Sequence, residues 1–244
     1  GMDVAIREAD VAPMQVQGPK AKGVIGSLFG DEVRDLRYYR CAEAEVDGIP
    51  VVVSRTGWTG EVGYEIYLRD CSRGDDLFEH VLRAGEPYGA RVIAPSEARR
   101  IEAGIFNYGS DMRIEDTPLH VTGLEKFVEW NKDRPFLGRE RLEQIRDDKL
   151  LDRKLVGIEI GGDPMTDEGA LNDFWPLVEG DATVGRVTAG AWSPRLKKNI
   201  GYGWVPIRRQ EPGSELEADT PRGRVPVTVA PLPFLDPNKD VPKS

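Results

Sequence analysis

Residues 54–67 read Ser54-Arg-Thr-Gly-Trp-Thr-Gly-Glu-Val-Gly-Tyr-Glu-Ile-Tyr67. Three of the seven residues at 57–63 are glycines, which predicts a loop that can adopt left-handed backbone angles and let a flat ligand approach closely. A strand is predicted directly behind the loop, at 64–68. Glu65 and Tyr67 lie two residues apart on it, so their side chains share one face. The stretch therefore predicts an acid and a phenol side by side behind a glycine-rich loop.

Trp58 lies inside the predicted loop and offers an aromatic face. A carboxylate beside aromatic rings is a suitable receptor for a pterin, whose edge presents adjacent N–H donors to a bidentate acceptor. Glycine-rich loops are also common in surface hairpins. From the residues alone a second interpretation stays open, in which the carboxylates are solvated and the tryptophan only packs.

The rest of the first 150 residues predicts a mixture of helices and strands. A β-hairpin is predicted over residues 37–54, where Asp47-Gly48 is a strong signal for a two-residue turn. Ser96 is a suitable N-cap for a helix that carries residues 97–103. Helices and strands in this order predict an α+β domain.

Short strands with glycine and proline turns dominate after about Leu150. They are predicted at residues 154–160, 200–205, 214–218 and 224–229, and residues 177–187 are predicted to form a hairpin about Glu179-Gly180-Asp181. Such regular spacing is typical of a small barrel or sandwich. We therefore predict the α+β fold class with two domains, residues 1–150 and a β-barrel-like C-terminal domain at 151–244. The polar, proline-containing tail after Phe234 is predicted to be disordered.

Composition and charge argue against several classes of protein. The chain is 39% hydrophobic and 31% charged, as in globular proteins, and its formal net charge of −9 argues against a protein that coats nucleic acid or an anionic membrane. Its apolar stretches are too short for a transmembrane helix, and charged residues interrupt any signal peptide. The two cysteines, Cys41 and Cys71, favour a reducing, cytoplasmic setting.

Common catalytic and metal-site patterns have no counterpart in the sequence. With His80 and His120 as the only histidines, no histidine-rich metal site is predicted. The glycines of residues 57–63 lack the Lys-Ser/Thr pair of a P-loop and precede a strand, so they form neither a P-loop nor a dinucleotide-binding fingerprint. The G-x-S-x-G elbow of hydrolases is missing too. These patterns predict no catalytic residue and no metal ligand.

Six elements in register resemble those of the glycine-cleavage T-protein (aminomethyltransferase) family. Residues 54–66 resemble its S-R-T-G-[YW]-[TS]-G-E-x-G-[FY]-E-I element. The other five elements are Gln17-Gly-Pro-Lys-Ala21, Arg100-Ile-Glu-Ala-Gly104 with Tyr108-Gly109, Phe136-Leu-Gly-Arg139, Val184-Gly-Arg-Val-Thr-Ala-Gly190 and Ser193-Pro-Arg-Leu-Lys-Lys-Asn-Ile200. One such element has low specificity, but six in the same order span nearly the whole chain.

The resemblance implies a tetrahydrofolate cofactor and transfer of a one-carbon unit, from an amine, sulfonium or aryl ether, to its N-5 nitrogen. Glu65 matches the acid that holds the pterin. Tyr67 matches an aromatic neighbour at that site in sulfonium demethylases, and Trp58 stands where a substrate- or folate-facing aromatic lies. Gln17 and Glu102 are interpreted as turn and packing residues. The implied architecture is a folate-binding α+β domain of the T-protein type followed by a C-terminal barrel.

Two departures from the family pattern shape the functional prediction. The family's catalytic aspartate comes from an N-terminal segment upstream of these residues. We therefore expect an N-terminally incomplete folate-binding domain, no catalytic residue in this chain, and little or no turnover by it alone. The second departure concerns the A-R-D triplet of aminomethyltransferases, whose arginine contacts the cofactor. Ser96 replaces that arginine here. With Trp58, this favours a demethylase-like activity over glycine cleavage proper.

Two alternatives to an enzyme of this kind stay open. The chain could be a non-catalytic folate-binding module, or a fragment of a larger folate-dependent amine oxidase. If the chain takes part in one-carbon transfer, the expected partner is a small-molecule methyl or aminomethyl donor. No nucleic-acid or membrane partner is expected. The sequence does not identify the donor or the oligomeric state.

Overall fold

The structure, a computed structural model, describes residues 3–165 and 169–244, and at residues 169–172 it describes the backbone alone. The α-helices are α1 (Ala21–Phe29), α2 (Asp31–Arg34), α3 (Gly74–Gly85), α4 (Glu97–Glu102), α5 (Arg139–Asp147) and α6 (Asp240–Lys243). The strands are β1 (Ala12–Gln17), β2 (Cys41–Val46), β3 (Ile49–Ser54), β4 (Gly63–Leu68), β5 (Arg153–Ile160), β6 (Gly169–Glu179), β7 (Ala182–Ser193), β8 (Lys198–Pro206), β9 (Glu215–Thr220) and β10 (Gly223–Ala230). Short 3-10 helices lie at Cys71–Arg73, Glu86–Tyr88, Pro118–His120, Glu125–Phe127 and Ile207–Arg209.

The chain divides into two compact units. The first comprises residues up to Pro95 together with Asn238–Ser244, and the second comprises Ser96–Pro237. We refer to them as the N-terminal and C-terminal units. The domain boundary near Leu150 that the composition suggests stays a prediction.

A four-stranded antiparallel sheet forms the N-terminal unit, with strand order β1-β4-β3-β2. Alternate residues of each strand point to the same side of the sheet, and those that point to the inner face are apolar. Val51, Val53, Tyr64 and Ile66 are buried there and belong to one hydrophobic cluster with residues of α1 and α3. Glu65 and Tyr67 alternate with core residues of β4, so these predicted site residues lie on the face opposite the core.

The predicted hairpin and its turn are confirmed, although the first arm begins at Cys41 and not at residue 37. β2 and β3 pair in antiparallel register from Cys41↔Ser54 to Val46↔Ile49. Asp47 and Gly48 both have positive φ, at 52° and 73°. A two-residue hairpin turn of type I′ requires positive φ at both of its central residues, and an Asp-Gly pair adopts such angles readily.

The C-terminal unit contains a closed six-stranded barrel with strand order β10-β5-β8-β7-β6-β9. Every pair of neighbouring strands is antiparallel. The predicted hairpin near Gly180 is confirmed, but its arms β6 and β7 are longer than predicted. The α+β fold class with a C-terminal barrel is also confirmed.

The barrel strands bury residues on both of their faces. One cluster includes Val156, Ile158 and Val187, and a second includes Leu155 and Trp204 together with residues of α4. Helix α4 begins where it was predicted to begin. The Ser96 hydroxyl accepts a hydrogen bond from the Arg99 N–H at 3.4 Å.

The prediction that the tail after Phe234 is disordered is wrong for its last residues. Residues 240–243 form α6, and the Ser244 carbonyl accepts a hydrogen bond of 2.7 Å from Arg55 Nη2. Arg55 is buried, and its guanidinium also stacks on the Tyr64 ring at 4.9 Å and donates to the Gly63 carbonyl. A polar tail is ordered here because a buried cation uses it as an acceptor. Within the described residues, no helix is both long and apolar enough to cross a bilayer.

Candidate functional site

The polar face of the N-terminal sheet centres on β4. Tyr64, Ile66 and Leu68 point into the core, whereas Glu65 and Tyr67 alternate with them and are half-buried on the opposite face. The structure thus brings Glu65 and Tyr67 onto one surface, as their spacing predicts.

Two neutral groups hold the Glu65 carboxylate. The Thr56 hydroxyl donates a short hydrogen bond to Oε2, and the Gln15 amide donates to Oε1 at 3.4 Å. Gln15 lies directly across from Glu65 on β1, and Ser54 lies across from it on β3. The Ser54 and Thr56 hydroxyls are 2.8 Å apart. These contacts fix the direction of the carboxylate while leaving its charge uncompensated by them.

Tyr67 shares the electrostatic environment of this carboxylate. Burial raises the pKa of the Tyr67 phenol, and the negative charge and hydrogen bonding of Glu65 raise it further. The phenol is therefore neutral at physiological pH and available as a hydrogen-bond donor beside a carboxylate acceptor.

Gln17 fixes the glycine-rich loop in place. Its amide nitrogen donates to the carbonyls of Thr56 and Tyr64, each at 3.3 Å, and its oxygen accepts from the Thr59 hydroxyl at 2.7 Å. A Cβ on Gly57 would lie 2.1 Å from this Gln17 oxygen. The loop thus needs its glycine at 57 because the side chain of Gln17 lies against the backbone.

Trp58 lies in this loop, two residues after the threonine that binds Glu65, and its side chain is half-buried. The assignment of Glu65, Tyr67 and Trp58 to cofactor binding stays a prediction. Sequence reasoning missed Thr56 and Gln15 as neighbours of Glu65. The spacing of Gln15 and Gln17 predicts that they share a face of β1, but the pairing of Gln15 with Glu65 depends on the register between β1 and β4.

The other sequence elements form buried polar networks. In the C-terminal unit, Glu102 is buried and accepts hydrogen bonds from the Ser193 hydroxyl at 2.6 Å and from Arg195 Nε at 2.9 Å. Gly104 has a φ of 68°, and a Cβ there would meet Pro233 at 3.1 Å. These contacts confirm that Glu102 is a packing residue.

A second network in that unit joins Arg100 to Asp111. Both side chains are fully buried, with Arg100 Nη1 2.7 Å from Asp111 Oδ2. The other Asp111 oxygen accepts from Thr188 at 3.0 Å, and Arg100 Nε donates to Glu97 at 2.7 Å. Across the described parts of the chain, no three His, Cys, Asp or Glu side chains come together in a way that could hold a metal ion.

Comparison with known proteins matches both halves of the chain to one family. Residues 2–132 match the family model of the GCVT N-terminal domain, and residues 153–236 match that of the glycine cleavage T-protein C-terminal barrel domain.

Curated relatives carry two kinds of name. Over 230 residues the chain is 35% identical to dimethylsulfoniopropionate demethylase DmdA of Ruegeria pomeroyi, covering 94% of this chain and 61% of that protein. It is 32% identical over 235 residues to the aminomethyltransferase of Bacillus cytotoxicus, covering 94% of this chain and 62% of that protein. The chain thus spans about three fifths of the length of these relatives.

The same architecture occurs in a solved structure. The crystal structure of the glycine cleavage system aminomethyltransferase T from Bartonella henselae matches with a TM-score of 0.67 and 22% sequence identity. The match covers 93% of this chain and 60% of that one. At this identity the match establishes the fold alone.

Proposed function

Because this chain belongs to the glycine cleavage T-protein family, we propose that the polar face of its N-terminal sheet binds tetrahydrofolate and serves one-carbon transfer. The observation that carries the proposal is the environment of Glu65. Its carboxylate is held in one direction by Thr56 and Gln15, without a cation among these partners.

The residues present fit a pterin. An ionised carboxylate accepts two N–H bonds from one planar edge, and such charge-assisted bonds are stronger than neutral ones. Tyr67 lies beside the carboxylate, and Trp58 supplies an aromatic surface in the loop. Glu65 would hold the pterin edge, with the two aromatic residues beside the ring.

Tetrahydrofolate, when bound, supplies the nitrogen that accepts the one-carbon unit. The role of this chain's own residues is to bind the cofactor and to orient it. Thr56 and Gln15 fix the carboxylate before binding, so fewer rotamers are lost when a ligand arrives. Gln17 fixes the loop for the same reason. Orientation of this kind accounts for a large share of the rate of transfer reactions.

Calorimetric titration with tetrahydrofolate tests the proposal. We expect Glu65→Gln to weaken binding by about tenfold to a hundredfold, since a hydrogen bond to a charged group contributes about 1.5–3 kcal/mol. The matched control is Glu45→Gln. Glu45 is exposed on β2, on the same face of the same sheet, so its substitution changes the net charge equally. Equal affinity in the wild type and Glu65→Gln would remove Glu65 from the site.

For the donor, we propose a methyl sulfonium compound, as in a demethylase. What supports this is Ser96 in place of the arginine of aminomethyltransferases, and Trp58 in the loop. Aromatic faces attract cations such as a sulfonium through their quadrupole. The name of the Ruegeria relative specifies dimethylsulfoniopropionate, which makes this compound the first to test.

Saturation-transfer NMR separates sulfonium binding from simple apolar contact. Dimethylsulfoniopropionate is compared with 4-methylpentanoate, which has the same shape without the positive charge. We expect the wild type to prefer the sulfonium and Trp58→Leu to lose that preference. Trp130→Leu is the control, since the Arg146 guanidinium already covers the Trp130 ring at 4.3 Å. An unchanged preference in Trp58→Leu would exclude Trp58 as the donor-binding aromatic.

The cellular setting and the partners belong to the same proposal. Cys41 and Cys71 are both free and exposed, which supports a reducing, cytoplasmic setting. The proposed partners are the small-molecule donor and the folate, with no nucleic acid and no membrane. A folate-binding module without transfer, or a fragment of an amine oxidase, would share the dependence on Glu65 but not the preference for a sulfonium.

A further inference from the structure

Two arginines of the C-terminal unit, Arg153 and Arg186, lie beside Trp204, and a third, Arg113, lies close enough to act electrostatically on Arg186. Arg186 on β7 pairs directly with Trp204 on β8, and residues opposite each other on antiparallel strands share a face. Arg153 on β5 places its guanidinium 5.1 Å from the Trp204 ring centroid. Trp204 Nε1 donates to the Asp111 carbonyl at 2.8 Å, which brings the segment with Arg113 to the same place. We refer to Arg113, Arg153 and Arg186 as the arginine cluster.

Asp116 is the carboxylate that contacts this cluster, and both of its oxygens are already bound. Oδ1 lies 3.1 Å from Arg153 Nη2, and Oδ2 accepts from the backbone N–H of Arg113 at 2.9 Å. These two contacts reach the Arg153 guanidinium and the Arg113 backbone, and neither of them is to the Arg186 guanidinium. The local charge is positive, although the chain carries a formal net charge of −9.

Arg186 is the member of the cluster that carries a buried donor without a described partner. Its Nε is buried and has no hydrogen-bond partner among the side chains that the structure describes. Its guanidinium stacks on the Phe174 ring at 5.2 Å. Burial lowers the pKa of Arg186, and the charges of Arg113 and Arg153 lower it further. Burial and the neighbouring positive charges therefore destabilise the charged Arg186 guanidinium, and a bound anion would stabilise it.

Arginine presents its N–H donors in a planar fork that matches the oxygens of carboxylate and phosphate. We propose that the arginine cluster is a binding site for a small oxyanion, a phosphate or a carboxylate group. Arg186 supplies the unsatisfied donor, and Arg113 and Arg153 supply further positive charge. The site is independent of Glu65, so its test and the folate titration can succeed or fail separately.

Thermal unfolding with added anions tests the site. Inorganic phosphate and glutarate represent the two oxyanions, each compared with sodium chloride at equal ionic strength. At about ten times its Kd, a ligand specific to the folded state is expected to raise the Tm by about 3–6 °C beyond the chloride control. A rise with phosphate alone, glutarate alone or both supports the site and identifies the oxyanion.

Variants of the cluster must remove this effect. Arg186→Gln is expected to unfold at the same Tm as the wild type, or higher, without added anion, because it removes an unpaired charge among like charges. It is expected to lose the oxyanion effect. Arg113→Gln, at an exposed position, serves as the second variant should Arg186→Gln fold poorly. Arg224→Gln is the matched control, because Arg224 lies on the same barrel and is paired with Asp219 at 2.8 Å.

Two results would overturn the proposal. If chloride raises the Tm as much as phosphate and glutarate do, the arginines respond only to screening of their repulsion. If the cluster variants keep the full oxyanion effect, the anion binds elsewhere.

Discussion

The Glu65 carboxylate on β4 is oriented by groups from two other places in the chain. Gln15 comes from β1 and Thr56 from the loop. The side-by-side position of Glu65 and Tyr67 could be predicted from the sequence, because it depends on strand alternation alone. The contacts with Thr56 and Gln15 depend on strand register and on a loop conformation, which residue spacing does not encode.

Tyr67 provides a prediction at this scale. Its pKa in the folded state is raised, first by burial and then by Glu65. Glu65→Gln removes the negative charge, so we expect the Tyr67 phenol to ionise at a lower pH than in the wild type. Phenolate absorbance during an alkaline titration measures this, with Tyr67→Phe subtracted to isolate the one residue.

The sign of the linked effect on stability follows from the raised pKa. The stability from Tyr67 is fully present below the ordinary tyrosine pKa of about 10 and is lost as the pH rises through the folded-state value. In Glu65→Gln this loss should be smaller. An identical Tyr67 titration in the wild type and the variant would show that the two side chains do not interact.

At the scale of elements, Gln17 determines the conformation of the loop. It makes three hydrogen bonds to loop and strand atoms, and the Gly18 N–H adds a fourth contact with the Val62 carbonyl at 2.8 Å. The sequence predicts the loop from its glycines, and the resemblance predicts that Gln17 is a packing residue. Neither predicts which backbone atoms it binds, because those atoms are 39 to 47 residues away.

We expect Gln17→Leu to destabilise the chain by about 1–3 kcal/mol, because polar loop groups lose their partner in a half-buried place. Gln15→Leu is the control, since Gln15 is exposed and makes one long hydrogen bond. Urea unfolding measures the difference, and hydrogen exchange should show lost protection in residues 56–64. Equal stability of the two variants would mean that Gln17 does not hold the loop.

At the scale of the whole molecule, sequence patterns identify the barrel strands but not the closure of the barrel. Regular short strands fit a sandwich as well as a barrel, and the decision lies in the pairing of β6 with β9 and of β10 with β5. The resemblance to a known family supplied this long-range information. The ordered tail was mispredicted because its acceptor role for Arg55 joins residues 189 positions apart.

The buried pair of Arg100 and Asp111 gives a prediction for the C-terminal unit. Burial alone would lower the pKa of Arg100, but Glu97 and Asp111 raise it, so the guanidinium stays charged. Asp111→Ala leaves that buried charge short of a partner, which should cost about 3–5 kcal/mol. Thr188→Val removes a single hydrogen bond to the same carboxylate and should cost less, about 1–3 kcal/mol. Urea unfolding, monitored by tryptophan fluorescence, measures both losses of stability. A larger loss in Thr188→Val than in Asp111→Ala would mean that the ion pair contributes little.

Binding of a planar heterocycle at Glu65 is the central claim, and a crystal structure of the chain with tetrahydrofolate bound tests it most directly. We predict the N–H edge of the pterin at hydrogen-bonding distance, about 2.7–3.2 Å, from the Glu65 carboxylate. A structure with the cofactor on another surface, and with Glu65 bound only to its present partners and water, would contradict it.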